Sequence, residues 1–202
     1  MPPKPKFTKE EIAQTALNIV KENGVSALTA RELGKRLNSS ASPIFTVFEN
    51  MNEVKLAARE IAMREFEEYS SDFCHYSPAF KRFGMQMISY AVNKPELFKL
   101  LFMQEHTENQ NFEQLRKELG GMVDVLTEMI KNEHGISKAE ADVLFNNIWI
   151  YAYGICALCV NGVCSFSDEE MSKNLSRVFA SLLMLIKSGN LNNVAGIPKK
   201  ED

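Results

Sequence analysis

Apolar residues recur along most of this chain at intervals of three and four, the spacing that places side chains on one face of an α-helix. Near the start, such a face is formed by Ile12, Ala16, Ile19 and Val20. Near the end, a longer one is formed by Met171, Leu175, Val178, Phe179, Leu182 and Ile186. We find no stretch with the strict alternation of a half-buried strand. The pattern therefore predicts an all-α fold.

Helix starts are marked by Thr, Ser or Asn three residues before Glu, so that cap side chain and glutamate satisfy backbone N–H groups that lack helical partners. The pattern is seen at Thr8/Glu11, Thr29/Glu32, Asn50/Glu53, Ser137/Glu140 and Ser167/Glu170. Helix ends are marked by glycine at positions 24, 135 and 189. These signals predict three short helices, roughly 8–23, 29–37 and 40–47, followed by about six longer ones from Asn52 to Gly189.

Composition places the chain among soluble globular proteins. Of its 202 residues, 45% are hydrophobic and 24% are charged, which is ordinary for that class. The longest apolar run, residues 148–160, is shorter than the roughly 20 residues that a membrane-spanning helix needs. No signal peptide is seen at the start. We therefore expect a cytoplasmic protein that does not contact a membrane and whose cysteines are reduced thiols.

Charge is unevenly distributed along the chain, although its net value is only −3. Residues 1–60 carry nine lysines and arginines against seven aspartates and glutamates, whereas residues 61–202 carry fourteen against nineteen. A positive N-terminal part on a negative chain favours contact between that part and an anion.

Residues 28–54, LTARELGKRLNSSASPIFTVFENMNEV, contain two short apolar-periodic segments around a run of small polar residues. This pattern fits a helix-turn-helix, in which the second helix enters the DNA major groove. Such a helix needs small or polar side chains at its start, which SSASP supplies. It also needs an apolar face against its supporting helices, which Ile44, Phe45 and Phe48 supply. Pro43 lies in the first turn, where a missing N–H removes no helical bond.

The order of these elements resembles the tetracycline-repressor (TetR) family of bacterial transcriptional regulators. The resemblance covers residues 7–58: an initial helix, ENGVSALTARELGKRL, a serine-rich turn, SPIFTVFEN and the start of a long helix. Residues 147–162, NIWIYAYGICALCVNG, are similar to the Trp-His-Gly helix of one group of these regulators. Trp149 and Gly154 match, and Tyr153 replaces the histidine. The resemblance implies a homodimer that binds double-stranded operator DNA and releases it when a small-molecule effector enters the C-terminal domain.

The resemblance also implies which residues contact DNA: Thr29, Ser39, Ser40, Ala41, Ser42, Pro43, Phe45, Thr46 and Lys55. Thr29 would contact a phosphate, and Phe45 would sit beside the DNA backbone. The chain departs from the family where Ala41 and Met51 replace lysines and Asn38 replaces the usual turn glycine. We expect compensating phosphate contacts from Lys4, Lys6, Lys9 and Lys55. None of these residues offers an arginine fork to guanine, so hydroxyl and apolar contacts are expected to read the sequence.

The larger C-terminal part is expected to hold the effector and the dimer interface. Its methionines and aromatic residues are first of all core, although Met-rich surfaces also suit assorted apolar ligands. By the resemblance, we expect a pocket for a small, mostly apolar ligand, lined by Phe73, Met85, Phe98, Phe102, Met122, Met129, Trp149 and Tyr153. The last two helices are apolar over more than one face, which usually marks an interface. We expect a two-fold dimer through Tyr151, Ile155, Leu158, Phe179, Leu182 and Ile186.

The cysteines Cys156, Cys159 and Cys164 raise the question of a metal or redox site. The chain has no second CxxC, and its histidines lie far off in sequence. We interpret these thiols as small apolar side chains, with a redox or metal-sensing role as the alternative. No convergent acid–base set is seen, so we expect neither an enzyme nor a cofactor nor a bound metal.

The sequence thus predicts three segments. Residues 7–52 form a three-helix bundle with the helix-turn-helix, residues 53–189 form a larger helical regulatory and dimerisation domain, and residues 190–202 form a flexible tail. The predicted function is that of a DNA-binding transcriptional regulator, a repressor whose operator affinity falls when the ligand binds. The alternatives are a helical protein-interaction module and an all-α ligand-binding protein that does not bind DNA.

Overall fold

A computed structural model describes residues 5–104 and 111–190 of the chain. Lys4 and most of the predicted tail, residues 191–202, lie outside the described residues. The described part contains nine α-helices and no strand, so the all-α prediction is confirmed. The helices are α1 (Lys9–Asn23), α2 (Ala30–Arg36), α3 (Met51–Ser70), α4 (Ala79–Asn93), α5 (Pro95–Phe102), α6 (Phe112–Glu118), α7 (Gly121–His134), α8 (Lys138–Val160) and α9 (Asp168–Lys187).

Most of the predicted helix starts are observed with their caps. Complete capping boxes form at Thr8/Glu11, Ser137/Glu140 and Ser167/Glu170. Thr29 and Asn50 also accept backbone N–H bonds at the starts of α2 and α3. The glutamates three residues after these caps do not complete a capping box. Glu32, for example, accepts a hydrogen bond from Arg36 instead. A further box at the start of α6, formed by an asparagine and a glutamine, was not predicted.

The prediction of a third α-helix over residues 40–47 is wrong, because this segment forms only a short 3₁₀ turn, Ile44–Thr46. Its N–H groups bond to carbonyls three residues back, as in the 3.3 Å bond from Thr46 to Pro43. The Thr46 hydroxyl donates to the same carbonyl at 2.7 Å, a local bond that competes with regular helix. Neighbouring β-branched side chains also disfavour an α-helix slightly.

The described chain divides into two compact units. Unit 1 contains residues 5–71 and 89–104, and unit 2 contains residues 72–88 and 111–190. Helix α3 belongs to unit 1 because it packs against α1 and α5. Unit 1 therefore extends beyond residue 52, and a functional boundary at that residue stays a prediction.

The core of unit 1 is built on the apolar face predicted for α1. Ile12, Ala16, Ile19 and Val20 are all fully buried. Helix α3 turns its own apolar face inward, with Val54 and Ala58 fully buried. Because full burial of a Val or Ile side chain stabilises a fold by about 1.5–3 kcal/mol, this pair of faces supplies much of the unit's stability.

Unit 2 is built around α8, which packs against α7 and α9. Its buried side chains include Leu144, Phe145 and Ile148. Among the described residues, α8 is the one helix whose length and composition would allow it to cross a membrane. Core helices of globular proteins meet the same criterion, so this property does not by itself indicate a membrane span. Only 39% of its most apolar 18-residue window is buried within the described structure.

An aromatic cluster in unit 1 surrounds the fully buried Tyr90. Its ring makes edge-on contacts with Phe66 and Tyr69, with centroids 5.0 and 5.3 Å away. The Tyr90 hydroxyl is buried, and no described residue accepts or donates a hydrogen bond to it. Burial, and then the negative charge of Glu65, raise the pKa of Tyr90 well above its usual value. The hydroxyl is therefore desolvated without an observed hydrogen bond, which costs stability.

We expect Tyr90→Phe to raise the free energy of unfolding by about 1 kcal/mol, since it removes a desolvated hydroxyl and keeps the ring contacts. Urea denaturation of the parent and the variant measures the difference. The control is Tyr69→Phe, which removes a hydroxyl that is hydrogen-bonded to Ser89 at 2.8 Å and should lower stability. A loss of stability in Tyr90→Phe would contradict an unpaired hydroxyl.

Candidate nucleic-acid interface

The serine turn, residues 39–43, follows α2 through a residue in the left-handed conformation. Asn38 has φ +50°, and it is the one described non-glycine residue with positive φ. Asparagine tolerates this conformation better than most residues, so it can do the work of the usual turn glycine. The Ser39 N–H donates to the Gly34 carbonyl at 2.9 Å and closes the end of α2.

Gly34 allows the serine turn to lie directly on α2. A Cβ atom at this position would lie 3.0 Å from the carbonyl carbon of Ser40 and 3.1 Å from the nitrogen of Ala41. Both atoms belong to the backbone, so rotation of a side chain cannot relieve the contact. The need for a glycine here was missed from the sequence, because nothing local to α2 indicates which segment crosses it.

Two apolar side chains hold the segment after the serine turn in the core of unit 1. Ile44 is fully buried and Phe48 is 4% exposed. The prediction that Phe45 shares this locking face is wrong, since Phe45 is 44% exposed. In the tight 3₁₀ turn, consecutive side chains diverge by about a third of a turn, so Phe45 cannot face the same way as Ile44.

The residues expected to contact DNA all lie in unit 1. Thr29, Ser40, Ser42, Phe45 and Thr46 are exposed, whereas Ser39, Ala41, Pro43 and Lys55 are half-buried. The Thr29 hydroxyl caps α2 by accepting the Glu32 N–H at 3.2 Å. None of the nine is buried, so each is accessible on unit 1 as described. Their contact with DNA stays a prediction.

One lysine near the N-terminus, Lys6, lies beside the serine turn, and Lys9 lies close to Phe48. The Lys6 ammonium donates to the Ser39 hydroxyl at 3.2 Å. The Lys9 ammonium lies 5.3 Å from the ring centroid of Phe48. The sequence predicted a role for both lysines, but it did not indicate that Lys6 reaches the serine turn. Positive charge and exposed hydroxyls therefore occur together at one place, as an anion-binding surface requires.

The charges on α2 are arranged differently. Arg36 donates to Glu22 at 2.5 Å and to Glu32 at 3.2 Å. Its guanidinium is thus engaged with two carboxylates of the same unit. Arg31 and Lys35 are exposed. Arg36 is therefore occupied within unit 1, and its two neighbours lie at the surface.

The residues expected to line one ligand pocket are distributed over both units. Phe98 and Phe102 belong to unit 1, where their ring centroids lie 5.0 Å apart. The other six belong to unit 2: Phe73 and Trp149 are buried, and Met85, Met122, Met129 and Tyr153 are half-buried. Trp149 stacks on Tyr153 with centroids 5.3 Å apart. Their role as a pocket stays a prediction.

Two of the cavities in the described part of unit 2 differ in character. One has a volume of about 100 Å³ and is lined mainly by apolar side chains of α4, α8 and α9, including Phe80, Ile148 and Phe179. The other is an open cleft of about 820 Å³ bounded by α6, α7 and α8, and many of its lining side chains are charged. The first is too small for a drug-sized ligand, because such ligand pockets measure about 300–1,000 Å³.

The residues expected at the dimer interface differ in exposure. Leu158 is exposed, and Tyr151, Phe179 and Leu182 are half-buried. Ile155 and Ile186 are only 5% and 4% exposed, so within unit 2 they have little surface left for a partner. Three exposed apolar residues of the same region were not named from the sequence: Ile150, Val163 and Met184.

The thiols of α8 are not gathered into a metal site. Among residues 5–104 and 111–190, no group of three or more His, Cys, Asp or Glu side chains is arranged to hold a metal ion. Burial raises the pKa of Cys156 far above its usual value and also raises the pKa of Cys159. Raised pKa values leave the thiols protonated at neutral pH, which disfavours both metal binding and rapid oxidation.

We expect Gly34→Ala to lower the free energy of unfolding by about 1–2 kcal/mol, although alanine alone favours a helix by roughly 1 kcal/mol. The added methyl group would push the serine turn off α2. The matched control is Lys35→Ala, on the exposed side of the same helix, which should change stability by less than about 0.5 kcal/mol. Urea denaturation measures both. A Gly34→Ala protein as stable as the parent would show that the turn does not rest on α2.

No protein-family model matches this chain, and no curated protein matches it. Solved structures do match. A TetR transcriptional regulator from Rhodococcus sp. RHA1 is 13% identical, with a TM-score of 0.53 over 87% of this chain and 95% of that one. Another transcriptional regulator from that source is 15% identical, with a TM-score of 0.58 over 91% of this chain and 97% of that one.

A third similar structure is a TetR variant from Acinetobacter baumannii AYE, solved in complex with minocycline. It is 16% identical, with a TM-score of 0.57 over 92% of this chain and 99% of that one. Each of the three is covered almost completely, so the likeness extends over both units. The resemblance seen in the sequence is confirmed at the level of fold: this chain has the all-α fold of the TetR transcriptional regulators.

Proposed function

We propose that this protein is a DNA-binding transcriptional regulator. The observation that carries the proposal is the serine turn, exposed and low in bulk, resting on Gly34 with the Lys6 ammonium beside it. Ile44 anchors its far end in the core. A rigid, polar projection with a cation at its side suits a groove lined by phosphates. The TetR fold of the chain is consistent with this function.

The chemistry of the exposed residues indicates how a duplex would be read. Ser40 and Ser42 offer hydroxyls that can donate to or accept from base edges. The Thr46 hydroxyl donates to the Pro43 carbonyl and can therefore only accept. Phe45 offers an apolar surface, which suits a sugar or a thymine methyl group. Positive charges for the phosphates come from the arm lysines and from Lys55. Binding would therefore depend strongly on salt, because each neutralised phosphate releases condensed counterions.

A second copy of the chain would supply the second reading surface. Ile150, Gly154 and Leu158 follow one another at intervals of four along α8, so they share a face. Ile150 is 54% exposed and Leu158 is 39% exposed. A Cβ at Gly154 would meet no described atom within 4 Å beyond its chain neighbours and its own helix backbone, so a partner helix could approach closely there. Met184 of α9 is 72% exposed. We propose a two-fold dimer through α8 and α9.

Regulation would come from a small molecule bound in unit 2. One of the similar structures is a complex with minocycline, and unit 2 here contains a cleft of about 820 Å³. In a dimer the two serine turns must match half-sites about 34–36 Å apart or a multiple of that distance. A ligand that favours another spacing would weaken operator binding by its difference in affinity for the two states. This protein would then act as a cytoplasmic repressor without catalytic activity.

We expect Ser42→Glu to weaken operator binding at least about a hundredfold, because a carboxylate would face the phosphates. The duplex is taken from the DNA upstream of the chain's own gene, and binding is measured by electrophoretic shift and by fluorescence anisotropy. The matched control is Ser165→Glu, which makes the same change at an exposed serine of unit 2. Sedimentation shows whether both variants keep the parent's mass.

The same assay separates the rival functions. For a DNA regulator, the logarithm of the affinity falls linearly with the logarithm of the salt concentration. If the parent protein did not bind duplexes at low salt, the result would favour a protein-interaction module or a ligand-binding protein. If the Ser42→Glu variant bound the duplex as tightly as the parent, the serine turn would not be part of the DNA-binding surface.

We expect Leu158→Glu and Met184→Glu each to raise the dimer dissociation constant at least about tenfold, since each buries a charge in an apolar interface. The control is Val125→Glu on α7, where the parent side chain is 50% exposed. Sedimentation equilibrium measures the dissociation constants. If all three variants keep the parent's dissociation constant, the dimer does not use this face of α8 and α9.

A further inference from the structure

The polar cleft is the 820 Å³ space in unit 2 bounded by α6, α7 and α8. Its volume lies within the range of about 300–1,000 Å³ that is usual for small-molecule sites. Side chains that line it include Phe112, Arg116, Lys138, Asp142 and Asn146. The proposed function needs a ligand site in unit 2, and this cleft differs from the mostly apolar pocket that the sequence led us to expect.

Two cations on the wall of the polar cleft share one carboxylate. Arg116 donates to Asp142 at 2.6 Å, and Lys138 donates to the same oxygen at 2.8 Å. Burial alone would raise the pKa of Asp142, but the hydrogen bonds from Lys138 and Arg116 outweigh it and hold the pKa below its usual value. Asp142 is therefore ionised at neutral pH and neutralises only one of the two cations.

Hydrogen-bond donors also exceed acceptors in this group. A guanidinium has five N–H donors, and Arg116 uses one on Asp142 and one on the Asn146 oxygen, at 3.1 Å. An ammonium has three, and Lys138 uses one on Asp142 and one on the Thr127 hydroxyl, at 3.0 Å. The Arg116 side chain is 17% exposed and lines the open polar cleft, where water or a ligand can reach the remaining donors. An acceptor-rich ligand would complete the set.

The other charged side chains that line the polar cleft are exposed. Lys117 and Glu113 form a 3.4 Å pair, and both side chains are largely exposed. Asp124 is also exposed, so water screens its charge strongly. Arg116, whose side chain is 17% exposed, is therefore the least screened cation of the polar cleft, and Lys138, at 46%, stands beside it on the same carboxylate.

The start of α7 adds further donors. Gly120, with φ +72°, is the N-cap of α7 and provides no side-chain acceptor for the first N–H groups. Gly120 and Gly121 both line the polar cleft, and a Cβ at either would meet no described atom within 4 Å. The positive φ of Gly120 favours glycine at this position, and the first turn of α7 borders the polar cleft.

An aromatic wall adjoins these polar groups. Phe112 lines the polar cleft and meets Trp149 edge to face, with ring centroids 5.6 Å apart. Trp149 stacks on Tyr153 in turn. A ligand whose anionic group meets Arg116 and Lys138 could therefore place an apolar body against Phe112.

We propose that the polar cleft binds an organic carboxylate with an aromatic or aliphatic body, and that such a compound is the effector. Its carboxylate would accept the unused donors of Arg116 and Lys138. Its body would cover Phe112. This inference rests on the proposed function only for the effect on DNA, because binding in the cleft can be measured without DNA.

The experiment uses the full chain and a matched pair of probes, 3-phenylpropanoate and its neutral amide. Trp149 is the only tryptophan of the chain and contacts Phe112, so its fluorescence reports on the polar cleft. Titration calorimetry provides an independent affinity. We expect the carboxylate to bind at least tenfold more tightly than the amide and to alter the Trp149 emission. Equal affinities for the two probes, or no binding of the carboxylate, would overturn the proposal.

Two variants and one control tie the binding to this site. Lys138→Gln removes one cation and leaves Asp142 paired with Arg116, and Asn146→Asp adds a carboxylate next to Arg116. Each should lower carboxylate affinity at least tenfold and leave the weak binding of the amide unchanged. The control is Lys173→Gln on α9, which removes the cation of an exposed ion pair and should have no effect. Unchanged affinity in both cleft variants would overturn the assignment to this site.

Inorganic phosphate tests whether the anion alone is enough. We expect phosphate to compete only at concentrations at least a hundredfold above those of 3-phenylpropanoate. Competition at equal concentrations would overturn the claim that the apolar body contributes. Operator binding is measured separately with and without the carboxylate. Failure of the parent to bind any duplex would count against the regulator function, while the fluorescence titration would still decide the ligand class.

Discussion

The contact between α2 and the serine turn is the constraint on which the rest of unit 1 depends. A segment that must stay exposed and small cannot hold itself in place with large side chains. Here it is held by backbone atoms resting on Gly34, by the left-handed Asn38 at one end, and by the buried Ile44 at the other. The core face of α1 then provides the rigid base, because Ile12 and its neighbours are fully buried.

Features that depend on neighbouring residues were predictable from the sequence, and features that depend on distant ones were not. The caps of α1, α8 and α9 were predicted because both partners lie within one turn. The prediction of an α-helix over residues 40–47 was wrong, because a periodic pattern does not distinguish a 3₁₀ turn from a short α-helix. Phe45 was misplaced for the same reason. The crossing over Gly34 joins two segments and leaves no local signal.

The roles of individual residues in unit 2 were harder still to predict from the sequence. Its apolar residues were assigned collectively to a core, a pocket and an interface, but the sequence alone could not separate these roles. The structure buries Ile155 and exposes Met184. It also places Arg116 and Lys138, which are 22 positions apart in the sequence, on one carboxylate. Charged residues at exposed helical positions are normally interpreted as solvated, so a half-buried carboxylate shared by side chains of α6 and α8 can be recognised only when the two helices are seen together.

For the proposed DNA-binding function, the hydrogen bond between Lys6 and Ser39 has a consequence for the rate of encounter with a duplex. Arg36 is held by two carboxylates, which cancel its field at a distance. Lys6 is held instead by a neutral hydroxyl, so its position is restrained while its full charge still acts on an approaching polyanion. Long-range attraction of this kind speeds diffusional encounter. The Lys6 side chain is also positioned in advance, which reduces the entropy lost at the moment of association.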